Sequence, residues 1–125
     1  PRLTFTTQII KEALRLYPPA WAIGRTVVQP CEVGGCELKP GQFVFMSPWI
    51  VQRDSRYFEQ PDRFMPQRWS DGFEKQLPTF AYFPFGGGPR VCIGQAFAIM
   101  ELVLVLATIF QQFRFELVSE QPVEL

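Results

Sequence analysis

Phe85-Gly86-Gly87-Gly88-Pro89-Arg90-Val91-Cys92-Ile93-Gly94 places one thiol just ahead of a long run of helix-forming and apolar residues. That run predicts a helix from residue 93 to about 113, with Cys92 at or just before its first turn. Free backbone N–H groups and the positive end of a helix dipole stabilise an anion there, which favours the thiolate, the form that binds metal. Three consecutive glycines let the preceding backbone take positive φ and come close to a flat partner, and Pro89 then fixes one torsion. Arg90 supplies a cationic fork suited to a carboxylate, and Phe85 an apolar shield near the sulfur.

Other readings of the same stretch compete. A single Cys is most often a small buried hydrophobe. Glycine-rich loops also cradle phosphates, but no Lys-Ser or Lys-Thr follows here. The sixth position counted from Gly86 is Val91 rather than Gly, so the dinucleotide pattern fails as well. An iron–sulfur cluster normally takes about four thiolates, and the chain has three Cys. Histidine is absent, which within this chain removes His-ligated haem, Ser-His and Cys-His nucleophile pairs and most zinc sites. One thiolate on a haem iron survives this elimination, and a haem propionate is a carboxylate of the kind Arg90 suits.

The rest of the composition bounds the fold. Hydrophobic residues are 47% and include 13 Phe, rich enough for a packed interior and too rich for disorder. Lys plus Arg and Asp plus Glu are both 12, so there is no nucleic-acid footprint and no nucleic-acid partner is expected. No signal peptide is evident. The most apolar stretch, residues 93–110, carries Gly94, Gln95 and Glu101, which argues against a membrane span. A Gly34-Gly35 turn sets Cys36 opposite Val33 and Cys31 opposite Leu38, so these sulfurs are not directly opposed and a reducing compartment fits best.

Along the chain, Phe5, Ile9, Ile10, Ala13, Leu14 and Tyr17 recur at helical spacing, predicting a helix over residues 4–17 that Pro18-Pro19 stops. Glu12 and Arg15 lie three apart, adjacent on that helix, and can pair. Residues 20–24 read as an apolar connector. Strands are expected at 25–29, 31–33, 36–38 and 42–46, separated by turn signals. Residues 55–84 are dense in Pro, Asp and aromatics with weak periodicity, as expected of an ordered loop pinned by Phe58, Phe64, Trp69 and Phe83. The helix at 93–113 is apolar on nearly all sides and should be buried. Residues 113–117 are expected to return as an edge strand.

Phe85, Gly88, Arg90, Cys92 and Gly94 resemble the Phe-x-x-Gly-x-Arg-x-Cys-x-Gly signature of the cytochromes P-450, with all five fixed positions filled. Lys11 to Pro19 is similar to that family's Glu-x-x-Arg helix with its proline ending. Pro61-Asp62-Arg63-Phe64 is similar to its Pro-x-Arg-Phe motif. Pro48 to Asp54 resembles the segment before the meander, with Gln52 where His is common. The resemblance runs from Lys11 to about Leu117 and looks like only the last part of such an enzyme. Residues 1–125 are thus expected to be a C-terminal fragment of one domain, mainly α with a small β region. Its parts would be the Glu-x-x-Arg helix, short β-sheets, the meander, the Cys-ligand loop and a long buried final helix.

The resemblance implies haem b (iron protoporphyrin IX) with Cys92 as axial ligand and metal-binding residue, and with Arg90, Phe85, Gly88, Gly94 and Arg25 around the cofactor. It implies a structural salt-bridge triad of Glu12, Arg15 and Arg63, and substrate contacts from Trp21, Ala22 and Ile23. The implied activity is monooxygenation: one oxygen atom of O2 enters a small apolar organic substrate, with electrons from a redox partner, a ferredoxin or a flavoprotein reductase. A peroxygenase or isomerase, or a non-catalytic haem-binding homologue, stands as the alternative. No catalytic acid or base is expected in this stretch, since the family's oxygen-activating acid and Thr would lie upstream. So would any membrane anchor, which leaves a cytoplasmic and an anchored location both open.

Overall fold

A computed structural model describes residues 3–116 and 118. The first helix, α1 (Thr4–Leu16), starts without a side-chain cap; Thr7 instead donates both its N–H and its hydroxyl to the Leu3 carbonyl at 3.0 Å. Ile10 and Leu14 are buried on one face of it, and Leu16 is buried at its end. Tyr17 closes it with an N–H to the Ala13 carbonyl, and Pro18-Pro19 cannot continue the ladder.

Two small antiparallel ladders follow. β1 (Ile23–Thr26) pairs with β4 (Phe43–Met46), Ile23 opposite Met46 and Thr26 opposite Phe43. The strand expected at 25–29 therefore begins two residues earlier. Val27 prolongs the pairing through bonds with Gln42 and Gly41, and Pro30, which has no N–H, lies beyond it. Between them β2 (Cys31–Val33) and β3 (Cys36–Leu38) make a hairpin whose Gly34 and Gly35 stand at φ 59° and 80°. Two left-handed residues in sequence are what a type I′ turn requires, and glycine takes that conformation without steric cost. Cys31 faces Leu38 and Cys36 faces Val33, and all three cysteines are free.

α2 (Pro48–Val51) is a single turn capped by Ser47, whose hydroxyl accepts the Ile50 N–H at 3.3 Å. An irregular segment then wraps across α1, broken by a 3-10 turn at Pro66–Trp69 and by α3 (Phe73–Gln76). Its core is a cluster of rings: Trp69 lies 4.6 Å from Tyr82, 5.9 Å from Phe73 and 6.3 Å from Phe58, centroid to centroid. Phe58 is fully buried there, whereas Phe64, expected to help pin the loop, is 46% exposed.

After the 3-10 turn Gly88–Arg90 the chain enters α4 (Gln95–Gln112), capped by Gly94. It begins three residues after Cys92, not one. The expectation of a buried final helix is not met within this chain, because none of its 18 residues is buried. α4 touches α1, forming a groove between Ile10, Leu14, Leu102 and Val105, and presents apolar side chains elsewhere. By length and composition, at a mean hydropathy of 1.5, α4 passes the test for a membrane span, as a core helix also does. Residues 113–116 form no strand, which corrects the expected edge strand as far as Arg114 and Glu116; its last residue, Leu117, lies outside the described residues.

Candidate functional site: a buried carboxylate network and the thiol loop it supports

Glu12 and Arg15 are both fully buried. Arg15 grips Glu12 through two parallel bonds, Nε to Oε2 and Nη2 to Oε1, each 2.9 Å. Its remaining donors reach the backbone carbonyls of Gln52 (2.8 Å), Pro61 (2.6 Å) and Arg63 (3.2 Å). Glu12 in turn accepts from Met65 N–H (2.8 Å), Arg68 Nε (3.0 Å) and Trp69 Nε1 (2.9 Å). Burial alone would raise the Glu12 pKa, but the guanidinium of Arg15, the Met65 amide and Arg68 outweigh it and hold the carboxyl below its ordinary value. The result is an ionised acid enclosed by donors, which a buried charge needs in order to persist.

The guanidinium that completes this network belongs to Arg68, not to Arg63 as expected. Arg63 gives only its carbonyl; its exposed side chain turns to Gln60 Oε1 at 3.1 Å. The sequence contains Pro-x-Arg-aromatic twice within nine residues, Pro61-Asp62-Arg63-Phe64 and Pro66-Gln67-Arg68-Trp69. Only the second copy forms the 3-10 turn that packs on α1, and that packing aims Met65, Arg68 and Trp69 at one carboxylate.

A second connection was not visible in the sequence. Gln52, wholly buried, donates Nε2 to the Leu14 and Arg15 carbonyls at 3.1 and 3.0 Å, and its Oε1 accepts the Phe83 N–H at 2.9 Å. It thus caps the open end of α1 and fixes the backbone that leads into the thiol loop. From there Gly86 N–H bonds the Phe83 carbonyl, and Cys92 N–H closes on the Phe85 carbonyl, both at 2.9 Å.

The loop itself is shaped by its glycines. Gly86 and Gly88 are left-handed, at φ 76° and 66°. Gly87 is extended, and there the constraint is space: a Cβ would stand 2.2 Å from Cε1 of Phe80. Gly87→Ala is expected to cost about 1 kcal/mol, the low end for overpacking, because the Phe80 ring is half exposed and can turn aside. A denaturant melt of the variant measures it.

Cys92 is exposed, in the wall of an open cavity of about 670 Å³ shared with Phe85, Gly86 and Ile93. Its own N–H is used in the loop, and α4 starts too late to enclose the sulfur in its first turn, so the expected crowd of free N–H groups lies downstream of it. A second cavity of about 610 Å³ is lined by Ile23, Arg25, Phe80, Phe83 and Gly87. Of the three residues read as substrate contacts, Ile23 therefore borders the loop. Trp21 opens on a separate hollow with Tyr17, Pro18 and Trp49, and Ala22 is half-buried between them.

The donor set fits haem. Among the described residues no group of three metal-binding side chains exists, and Cys92 would offer a metal a single sulfur, as a haem iron requires of a protein. Arg25 and Arg90 have no carboxylate partner among the described residues, which leaves two guanidiniums for acidic substituents. Ile93, which lines the thiol's cavity, is fully exposed, and Phe97 on the first turn of α4 is 64% exposed, apolar surface of the kind a flat ring can cover.

The cytochrome P450 family profile matches residues 1–125. Cyclooctatin synthase of Streptomyces melanosporofaciens is 44% identical over 91% of this chain and 25% of its own length. Cytochrome P450 4V2 of Mus musculus is 39% identical over 92% of the chain and 22% of its own. The solved structure of a retinoic acid-bound cyanobacterial CYP120A1 superposes with a TM-score of 0.88 at 34% identity, covering 97% of this chain and 29% of that one. The chain spans about a quarter of the length of these relatives and, matched along its whole length by the family profile, belongs to the cytochrome P450 family.

Proposed function

We propose that the protein containing this chain is a haem-thiolate monooxygenase with Cys92 as the axial iron ligand. The observation that carries the reading is a single exposed thiol on a glycine-shaped loop, in a chain of this family with no histidine to compete for iron. Arg25 and Arg90 hold the propionates, Phe85 shields the sulfur, and Gly88 and Gly94 keep the backbone free of side chains near the ring. Glu12, Arg15 and Arg68 hold the scaffold and take no part in proton transfer.

Bound haem supplies the activation of O2, and a thiolate ligand favours O–O cleavage. The overall change consumes O2, two electrons and two protons, puts one oxygen atom into the substrate and releases the other as water. Electrons come from a ferredoxin or a flavoprotein reductase. The substrate is a small apolar organic molecule, contacted by Ile23, with Trp21 and Ala22 further along the same connector; the retinoic acid bound by the cyanobacterial relative is largely apolar apart from its carboxyl group.

The reduced, carbon monoxide-bound spectrum of the intact protein tests the reading. The parent is expected to show the red-shifted thiolate band and Cys92→Ala to lose it. An identical spectrum in the two proteins rejects Cys92 as the ligand.

A further inference from the structure

We infer that Gln52 is the positioning residue of the thiol loop, coupling the buried α1 network to the backbone that presents Cys92. The inference rests on the reading of Cys92 as iron ligand. Three bonds from one buried carboxamide carry it: two to the last carbonyls of α1 and one from the Phe83 N–H. Tyr82 also ties this segment to α1, its hydroxyl donating to the Lys11 carbonyl at 3.2 Å, but Gln52 is the fully buried side chain that bonds both the open end of α1 and the Phe83 backbone.

The path onward is short and made of backbone. Phe83 holds Gly86, and Phe85 holds the Cys92 N–H. A shift at Phe83 is therefore passed to the sulfur without a flexible side chain between them. The carbonyl of Gln52 is itself tied down by Arg15 Nη1 at 2.8 Å, so both ends of the residue are fixed. The charged groups facing it are Arg15 and, behind it, Glu12 from α1, with Arg53 adjacent in its own turn; the Phe83-Pro84 backbone brings none. An amide is donor and acceptor together and has no proton to gain, so the coupling does not change with pH.

The test uses the intact haem-loaded protein, Gln52→Ala and Gln52→His, followed by amide hydrogen exchange over residues 83–92 and by the thiolate band. Gln52→Ala strands two carbonyls and one N–H, and exchange over 83–92 is expected to become at least about tenfold faster, with loss of the thiolate band on incubation. Neutral imidazole donates at one nitrogen and accepts at the other, but protonated it only donates and repels the Phe83 N–H. Gln52→His should thus lie closer to the parent near about pH 8, where it keeps the Phe83 bond and one donor bond, and closer to the alanine variant near about pH 5.5, where the Phe83 bond is lost, each compared with the parent at the same pH. A merely space-filling role would give Gln52→His the same exchange rate relative to the parent at both pH values.

Parent-like exchange over 83–92 in Gln52→Ala, or a Gln52→His whose exchange relative to the parent is the same at both pH values, overturns the inference. If Gln52→Ala fails to fold, the histidine variant at the two pH values decides alone. If the parent lacks the thiolate band, the Cys92 reading falls, while the exchange comparison still decides whether Gln52 holds the loop.

Discussion

Glu12→Ala is expected to destabilise the protein by about 3–5 kcal/mol, because it leaves the fully buried Arg15 without its counter-charge. The alanine also strands the buried Trp69 Nε1 and takes the acceptor from the part-buried Met65 N–H. Glu12→Gln keeps an acceptor of similar shape and should fall between the two. The sign of the pH dependence follows from the depressed carboxyl. A group whose folded pKa lies below its unfolded one contributes stability above the unfolded value and loses it as pH falls through the folded one. The Glu12 contribution should thus be complete above its ordinary value of 4.5 and drain away below it. Denaturant titrations of parent and variant at neutral and acid pH check this: the difference between them should shrink on acidification, and a constant difference would refute the assignment.

The two arginines of the repeated motif should separate cleanly. Arg68→Ala removes a donor to the buried carboxylate and the bonds that Arg68 makes to the Glu59 and Gln60 carbonyls. A cost of about 2–3 kcal/mol is expected, between one charge-assisted hydrogen bond and a fully broken buried pair. Arg63→Ala removes an exposed side chain bonded to Gln60 and should stay within about 0.5 kcal/mol. What Arg63 contributes is its carbonyl, which any residue supplies. Melts of the two variants side by side are sufficient, and equal losses would mean that the network closes on Arg63 after all.

The contrast between those residues shows where local reading stops. α1 and the Gly34-Gly35 hairpin were legible because their signals, a 3.6-residue apolar period and two glycines at a turn, act over a few residues. The thiol loop was legible for the same reason. Arg63 and Arg68 sit in equivalent tetrapeptides, and only packing of Pro66–Trp69 against α1 chooses between them. Gln52 carries no charge and belongs to no periodic pattern; its role consists of partners 31 to 38 residues away, which no local window contains. The start of α4 slipped by two residues because Ile93 and Gly94 are compatible with either a last loop residue or a first helical one.

The reach of Glu12 to Met65 and Trp69, 53 and 57 residues further along, also orders the molecule in time. During synthesis α1 leaves the ribosome with its acid and guanidinium still hydrated, and more than fifty residues must emerge before they find their enclosure. Both β-ladders can zip within that interval, since β4 ends at Met46. Closing the long chain segment around the acid carries a loop-closure entropy cost, and a nascent polypeptide cannot complete it until Trp69 has cleared the exit tunnel.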